Sequence, residues 1–168
     1  MKIYLLRHGI AYEKNDWTSR DDRKRPLTKE GKQKVRRVAR GIRRLKLGLD
    51  RILTSPYERA LKTASITAKI LNLRKRLDVV PGLASDGDPK KVMDTLALHE
   101  HEWNSVMLVG HEPYLSRLVA HLTTSSGKAG LLLKKGGLIL VTAEHPHYGP
   151  CGQLEWLIPP KIFEKLRD

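Results

Sequence analysis

Ile3-Tyr4-Leu5-Leu6-Arg7-His8-Gly9 opens with a short apolar run and ends abruptly in a cation, an imidazole and a glycine. A continuous apolar run of this length, rich in residues that favour extended backbone, predicts a strand over 3–6 that is buried on both faces. Such strands belong to parallel sheets covered by helices. Polar residues just past their carboxyl ends lie where those sheets collect ligands. The same signature recurs further along. Val106-Met107-Leu108-Val109 runs into Gly110-His111-Glu112-Pro113, and Arg51-Ile52-Leu53-Thr54 runs into Ser55-Pro56. Val79-Val80 and residues 138–141 and 154–157 are further strand candidates.

Helical periodicity fills the gaps. Thr28 can cap a helix whose buried stripe is Val35, Val38, Ile42 and Leu45, with Lys and Arg over the remaining surface. Ser55-Pro56-Tyr57-Glu58 reads as a second helix start, with Ser55 as cap and Pro56 at the first helical position. Asp88-Pro89 opens a third helix, and Pro113 opens a fourth with Leu115, Leu118, Val119 and Leu122 inward. Residues 123–130 and 145–150 read as loops. Strand-helix alternation of this kind predicts an α/β fold, a three-layer αβα sandwich around a mostly parallel central sheet, with residues 1–168 as one domain.

Composition narrows the function. The chain has 168 residues, 40% hydrophobic and 30% charged, which fits a soluble globular domain. No apolar run reaches the ~20 residues of a membrane span, and the amino-terminal run is too short for a signal-peptide core. Cys151 is the sole cysteine, so an internal disulfide is impossible, in keeping with a cytoplasmic location. The net charge of +14 is concentrated at residues 20–25, 32–46 and 74–76. It suits attraction to phosphorylated or acidic partners. With aromatic residues at 5%, there is little on which nucleic-acid bases could stack, which argues against a nucleic-acid partner.

Two histidines and two arginines, His8, His111, Arg7 and Arg59, therefore stand at predicted strand ends or in the turn of a helix that follows one. That set suits phosphoryl transfer, where charge spread over three oxygens must be positioned and stabilised. Arg7 and Arg59 can each make a two-pronged contact with those oxygens. A neutral imidazole can attack phosphorus and later leave, which makes His8 a workable covalent nucleophile. Gly9 would let the backbone turn sharply behind it. His99, His101, His121, His145 and His147, on helix ends, a helix flank and a loop, are not assigned to the site.

In order, Leu5-Leu6-Arg7-His8-Gly9, Arg25-Pro26-Leu27-Thr28-x-x-Gly31, Thr54-Ser55-Pro56-x-x-Arg59-Ala60-x-x-Thr63-Ala64 and Val109-Gly110-His111-Glu112-Pro113 resemble the motifs of the histidine phosphatase superfamily, the phosphoglycerate-mutase-like fold. The short length and Leu83-Ala84-Ser85-Asp86-Gly87-Asp88 resemble its SixA branch, whose activity is removal of phosphate from phosphohistidine on signalling proteins. The resemblance implies that His8 is the nucleophile, that Arg7 and Arg59 bind phosphate, and that His111 hydrogen-bonds a phosphate oxygen. Arg25 would be a further phosphate contact, with Gly9 lining the same site. No cofactor and no metal are implied. The implied partner is a phosphorylated protein, such as a histidine-phosphotransfer domain, or a small phosphate ester.

The chain departs from larger members of that family at the proton donor: the corresponding stretch just before the third helix holds no Glu. Asp86 and Asp88 are the nearest candidate acids, and Asp88 also reads as a helix cap. An alkoxide needs a proton as it departs, whereas an imidazole titrates near 6.5 and can leave already protonated. Phosphohistidine is thus favoured over a sugar phosphate. The alternatives are a small-molecule phosphomonoesterase or mutase of the same superfamily, a metallohydrolase, and a basic nucleic-acid-binding module without catalysis.

Overall fold

The computed structural model describes residues 1–19 and 21–166; Arg20, in the first basic run, and Arg167 and Asp168 lie outside the described residues. The opening run forms β1 (Lys2–Arg7), followed by α1 (Lys29–Arg44), β2 (Arg51–Thr54), α2 (Glu58–Ile70) and β3 (Leu77–Val79). The chain continues through α3 (Pro89–Leu98), β4 (Ser105–Gly110), α4 (Tyr114–Thr123), β5 (Leu138–Ala143), β6 (Gly152–Ile158) and α5 (Pro160–Lys165). Among the described residues the strands make one six-stranded sheet in the order β3-β2-β4-β1-β5-β6. Pairing is parallel from β3 through β2 and β4 to β1, then antiparallel to β5 and β6.

The period-two alternation of strand side chains divides the core into two layers. Ile3, Leu5, Val106 and Leu108 face α3 and α4, packing with Val92, Met93, Leu96, Leu115 and Leu118. Tyr4, Leu6, Met107 and Val109 face the other way, onto Val38 and Ile42 of α1, the alanines of α2 and Phe163 of α5. Both faces are covered, which is why these strands read as unbroken apolar runs. The predicted three-layer α/β sandwich is the observed one.

The differences have local causes. Val79-Val80 was expected as a strand, but β3 is Leu77–Val79, and Val80 instead donates its N–H to Thr54 O. Leu45 does not extend the α1 stripe; it is the C-cap residue and is 37% exposed. Ser55 does not cap α2, which begins two residues later than the Ser-Pro signal implies, with Tyr57 at the N-cap. The unforeseen α5 packs across α1, where a side chain on Gly41 would lie 2.8 Å from Phe163 Cβ.

The other two foreseen caps hold: Thr28 Oγ1 accepts from Gly31 N at 2.9 Å and Asp88 Oδ1 from Lys90 N at 2.9 Å. The chain leaving β1 is clamped against α1. Thr28 N donates to Ile10 O at 3.0 Å, and a methyl group on Gly31 would lie 2.0 Å from the same oxygen. A single added carbon must therefore push the segment after His8 off the helix. Gly31→Ala is expected to destabilise the fold by about 1–3 kcal/mol despite alanine's better helix propensity. The check is a lower urea midpoint at unchanged slope.

Candidate active site

Three adjacent parallel strands, β2, β4 and β1, end at one level, and the main chain carries their ladders past the ends. Ser55 N donates to Val109 O at 3.0 Å, and His8 N donates to Gly110 O at 3.0 Å. Ser55, His111 and His8 thus emerge side by side at the carboxyl edge of the sheet. The two imidazole rings lie 5.1 Å apart, centre to centre.

His8 is 6% exposed. Its Nδ1 lies 2.7 Å from Gly9 O. A carbonyl oxygen can only accept, so Nδ1 carries the hydrogen and the lone pair sits on Nε2. Burial pushes the ring's pKa down to about 3, opposed by the Gly9 bond and reinforced by His111, Arg59 and Arg7. His111 is held at about 3 as well, by burial first and then by the charge of Arg59, with Asp22 opposing and Arg25 and Arg7 adding to the shift. Both rings are neutral at physiological pH. Nε2 of His111 lies 2.8 Å from Ser55 Oγ, and its buried Nδ1 has no partner among the described residues.

Arg59 occupies the first turn of α2, with its side chain 4% exposed. Nη1 donates to Asp22 O at 2.8 Å and Nη2 to Asp22 Oδ2 at 2.9 Å. The other oxygen of the same carboxylate accepts from Arg25 Nε at 2.8 Å, so Asp22 holds two guanidinium groups. Burial works against charge on Asp22, but the Arg25 bond and Arg59 charge prevail and hold its pKa below the usual carboxylate range. Arg7 donates from Nη1 to Leu133 O at 2.8 Å. Buried Nε atoms on both Arg7 and Arg59 have no partner among the described residues.

The structure therefore brings Arg7, His8, Arg25, Arg59 and His111 together. Gly9 takes a different part from the one its sequence suggested. It is not among the glycines with positive φ, and its N–H is engaged by Thr63 Oγ1 at 3.1 Å. What it supplies is close approach, since a side chain there would meet Val35 Cγ2 at 2.5 Å. Asp88 is turned onto the start of α3, and Asp86 is exposed, its Oδ1 accepting from Tyr57 Oη at 2.9 Å. Glu112 is bound to Ser116 through both oxygens.

Four contributors were not foreseen. Asp22 was hidden inside a basic run, where its neighbours suggest a solvated surface. Ser55 carried a helix-cap signal; its Oγ accepts from Tyr57 N at 3.2 Å, ahead of α2, and also meets His111 Nε2. Thr63, fully buried, joins Gly9 to Arg59 O, to which it donates at 2.7 Å. Tyr57 packs its ring 5.0 Å from His111 and 5.1 Å from Arg59 Cζ. For Ser55 and Thr63 the signals were their places in the motif at residues 54–64 and a small hydroxyl at a helix start or on an otherwise apolar stripe.

A neutral imidazole with an accessible lone pair, ringed by guanidinium groups and unpaired donors, can receive a tetrahedral oxyanion and attack its centre. Comparisons with known proteins agree. The family model of the histidine phosphatase superfamily (branch 1) matches residues 3–84. Phosphohistidine phosphatase SixA of Escherichia coli (strain K12) is 32% identical over 146 residues, 82% of this chain and 88% of that protein. A SixA homolog of Haemophilus influenzae is 29% identical, covering 73% and 77% of the two chains. The solved structure of the protein histidine phosphatase SixA complexed with tungstate superimposes with a TM-score of 0.84. It is 29% identical, over 96% of this chain and 99% of that one.

Because the folded-state values of His8 and His111 are depressed from 6.5 to about 3, the native state refuses protons that the unfolded chain takes up. The stability linked to both rings is intact above pH 6.5 and declines as pH falls toward 3. In a proton NMR titration the His8 and His111 ring signals should hold still between pH 8 and pH 5. Movement of either with a midpoint near 6.5 would contradict the buried, neutral assignment.

Proposed function

The chain belongs to the histidine phosphatase superfamily, in its SixA-type branch, and we propose that this phosphatase removes phosphate from phosphohistidine on a protein by way of a phospho-His8 intermediate. Nε2 of His8 attacks phosphorus with the lone pair left by the Nδ1–H bond to Gly9 O. The phosphorus–nitrogen bond to the substrate ring breaks, and its electron pair returns to that nitrogen. Water then attacks phospho-His8, releasing orthophosphate and restoring the neutral ring. Arg7 and Arg59 hold the phosphoryl oxygens, with their unpaired Nε atoms as additional donors. His111 donates from Nδ1 when Ser55 Oγ supplies the hydrogen to its Nε2. Arg25 adds positive charge through the shared Asp22 carboxylate.

The observation that carries the phosphohistidine reading concerns the carboxyl groups around this site. Among the described residues none is set up to give a proton. Asp22 is kept ionised between two guanidinium groups, Asp88 caps a helix, Glu112 is bound to Ser116, and Asp86 is exposed and accepts from Tyr57. A general acid accelerates departure of an alkoxide by about 10²–10⁴-fold. A ring attached to phosphorus through one nitrogen can carry its proton on the other and leave as neutral imidazole without that help. The name of the Escherichia coli relative, and the tungstate in the similar solved structure, an oxyanion with the shape of phosphate, support the same reading.

Two measurements test it. Incubated with phosphoramidate and quenched rapidly, the protein should carry a phosphoryl group on His8 by mass spectrometry. His8→Ala should show no label and lose activity by about a thousand-fold or more. Second, kcat/KM for a phosphohistidine peptide should exceed that for glycerol phosphate by roughly 100-fold or more. Equal turnover of the two would sink the leaving-group argument while sparing the His8 mechanism.

A further inference from the structure

Beside the phosphate site, and outside everything assigned above, a cavity of about 590 Å³ opens between the loop before α3 and one face of α4. Asp86, Tyr114, Arg117, Leu118, His121 and Tyr148 are among its walls. It shares Asp86 with the catalytic side, since Tyr57 Oη donates to that carboxylate while the Tyr57 ring packs against His111. A chain of contacts thus runs from His8 through His111 and Tyr57 to Asp86.

On the α4 side of the cavity, polar atoms stand without partners among the described residues. Tyr114 is 5% exposed, and its buried hydroxyl has no hydrogen-bond partner among the described residues. Burial pushes that hydroxyl's pKa up, helped by the charges of Asp88 and Tyr148, so it remains a donor. His121 Nε2 is likewise buried and unpartnered, while the ring is held by stacking on Tyr148 at 4.0 Å. Arg117 lies on the same face of α4 one turn from each of them, exposed and without an ion pair among the described residues. Leaving a buried polar group unsatisfied costs about 1–3 kcal/mol, so the Tyr114 hydroxyl and His121 Nε2, with the exposed Arg117 beside them, imply a visiting partner.

We infer that this cavity is the subsite for an acidic side chain of the polypeptide that carries the phosphohistidine, with its carboxylate received by Arg117, Tyr114 and His121. A carboxylate fits because the site offers one guanidinium fork beside the Tyr114 hydroxyl and His121 Nε2, which donates in its Nε2–H tautomer, and a planar two-oxygen anion matches that fork. On the opposite wall Asp86 has an oxygen not used by Tyr57, which can accept from a backbone N–H of the same segment. The inference rests on the proposed action on protein-borne phosphohistidine, and it explains how this phosphatase could choose among polypeptides.

The test uses phosphohistidine peptides in which a single Glu is moved from four residues before the phosphohistidine to four after it. A matching set carries Lys, and phosphoramidate serves as a donor too small to reach the cavity. Wild-type protein should prefer Glu over Lys by about ten-fold or more in kcat/KM at one or two positions. Arg117→Ala and His121→Gln should each reduce that preference, and Arg117→Glu should reverse it, all three leaving phosphoramidate turnover within two-fold or so of wild type. Peptide turnover with no Glu preference, or a preference untouched by the substitutions, overturns the subsite while the phosphohistidine reading stands. An equal loss on phosphoramidate overturns it too, because Arg117 would then act on the phosphate site itself. Turnover of phosphoramidate with no turnover of any peptide overturns both.

Discussion

Two main-chain hydrogen bonds, from Ser55 N to Val109 O and from His8 N to Gly110 O, decide where this molecule's chemistry happens. They continue the parallel ladders one residue beyond the strands, so that three turns start from the same plane and cannot drift independently. Side chains on a loop can wander by ångströms. Here the loop residues inherit the rigidity of β2, β4 and β1, which are buried on both faces. The arginines proposed to bind phosphate depend on the same frame. Arg7 is the last residue of β1, and Arg59 follows β2 by one helical turn.

Holding two imidazoles neutral among several guanidinium groups is the second constraint, and it has a single main cause. Burial costs the charged form of each ring more than the neighbouring cations add. The result, at His8, is a ring whose lone pair is available without a base to create it, oriented by the carbonyl of the very next residue. Asp22 performs the complementary service for the cations. By bridging Arg25 and Arg59 it fixes their orientation before any phosphate arrives, which reduces the ordering that binding would otherwise demand.

Much of this could be read from the chain alone, because the signals were local. Apolar runs ending in His, Ser and His marked the strands, their burial on two faces and the ends where ligands gather. Thr28 and Asp88 announced their helices. What could not be read depended on pairings between distant residues. Asp22 and Arg59 stand 37 positions apart, and Ser55 and His111 stand 56 apart. Nothing in the run Asp21-Asp22-Arg23-Lys24-Arg25 distinguishes a buried bridging carboxylate from a solvated one. Ser55 carried two compatible meanings, cap and site residue, and the tertiary contact with His111 decided between them. His121 looked like an ordinary helix-flank residue until the packing of Tyr148 over it enclosed its ring.

The alternation of β1 has a consequence for how this sequence can change over time. Ile3 and Leu5 belong to one layer and Tyr4 and Leu6 to the other, and His8 is reached by counting along that ribbon. Deleting one residue before Arg7 would exchange the two layers and rotate the imidazole to the far side of the sheet. Substitutions can be absorbed one by one along this strand, whereas a change in its length cannot. Lineages descended from this chain should therefore vary β1 in spelling and keep its number of letters, confining insertions to the loops that end on α1 and α3.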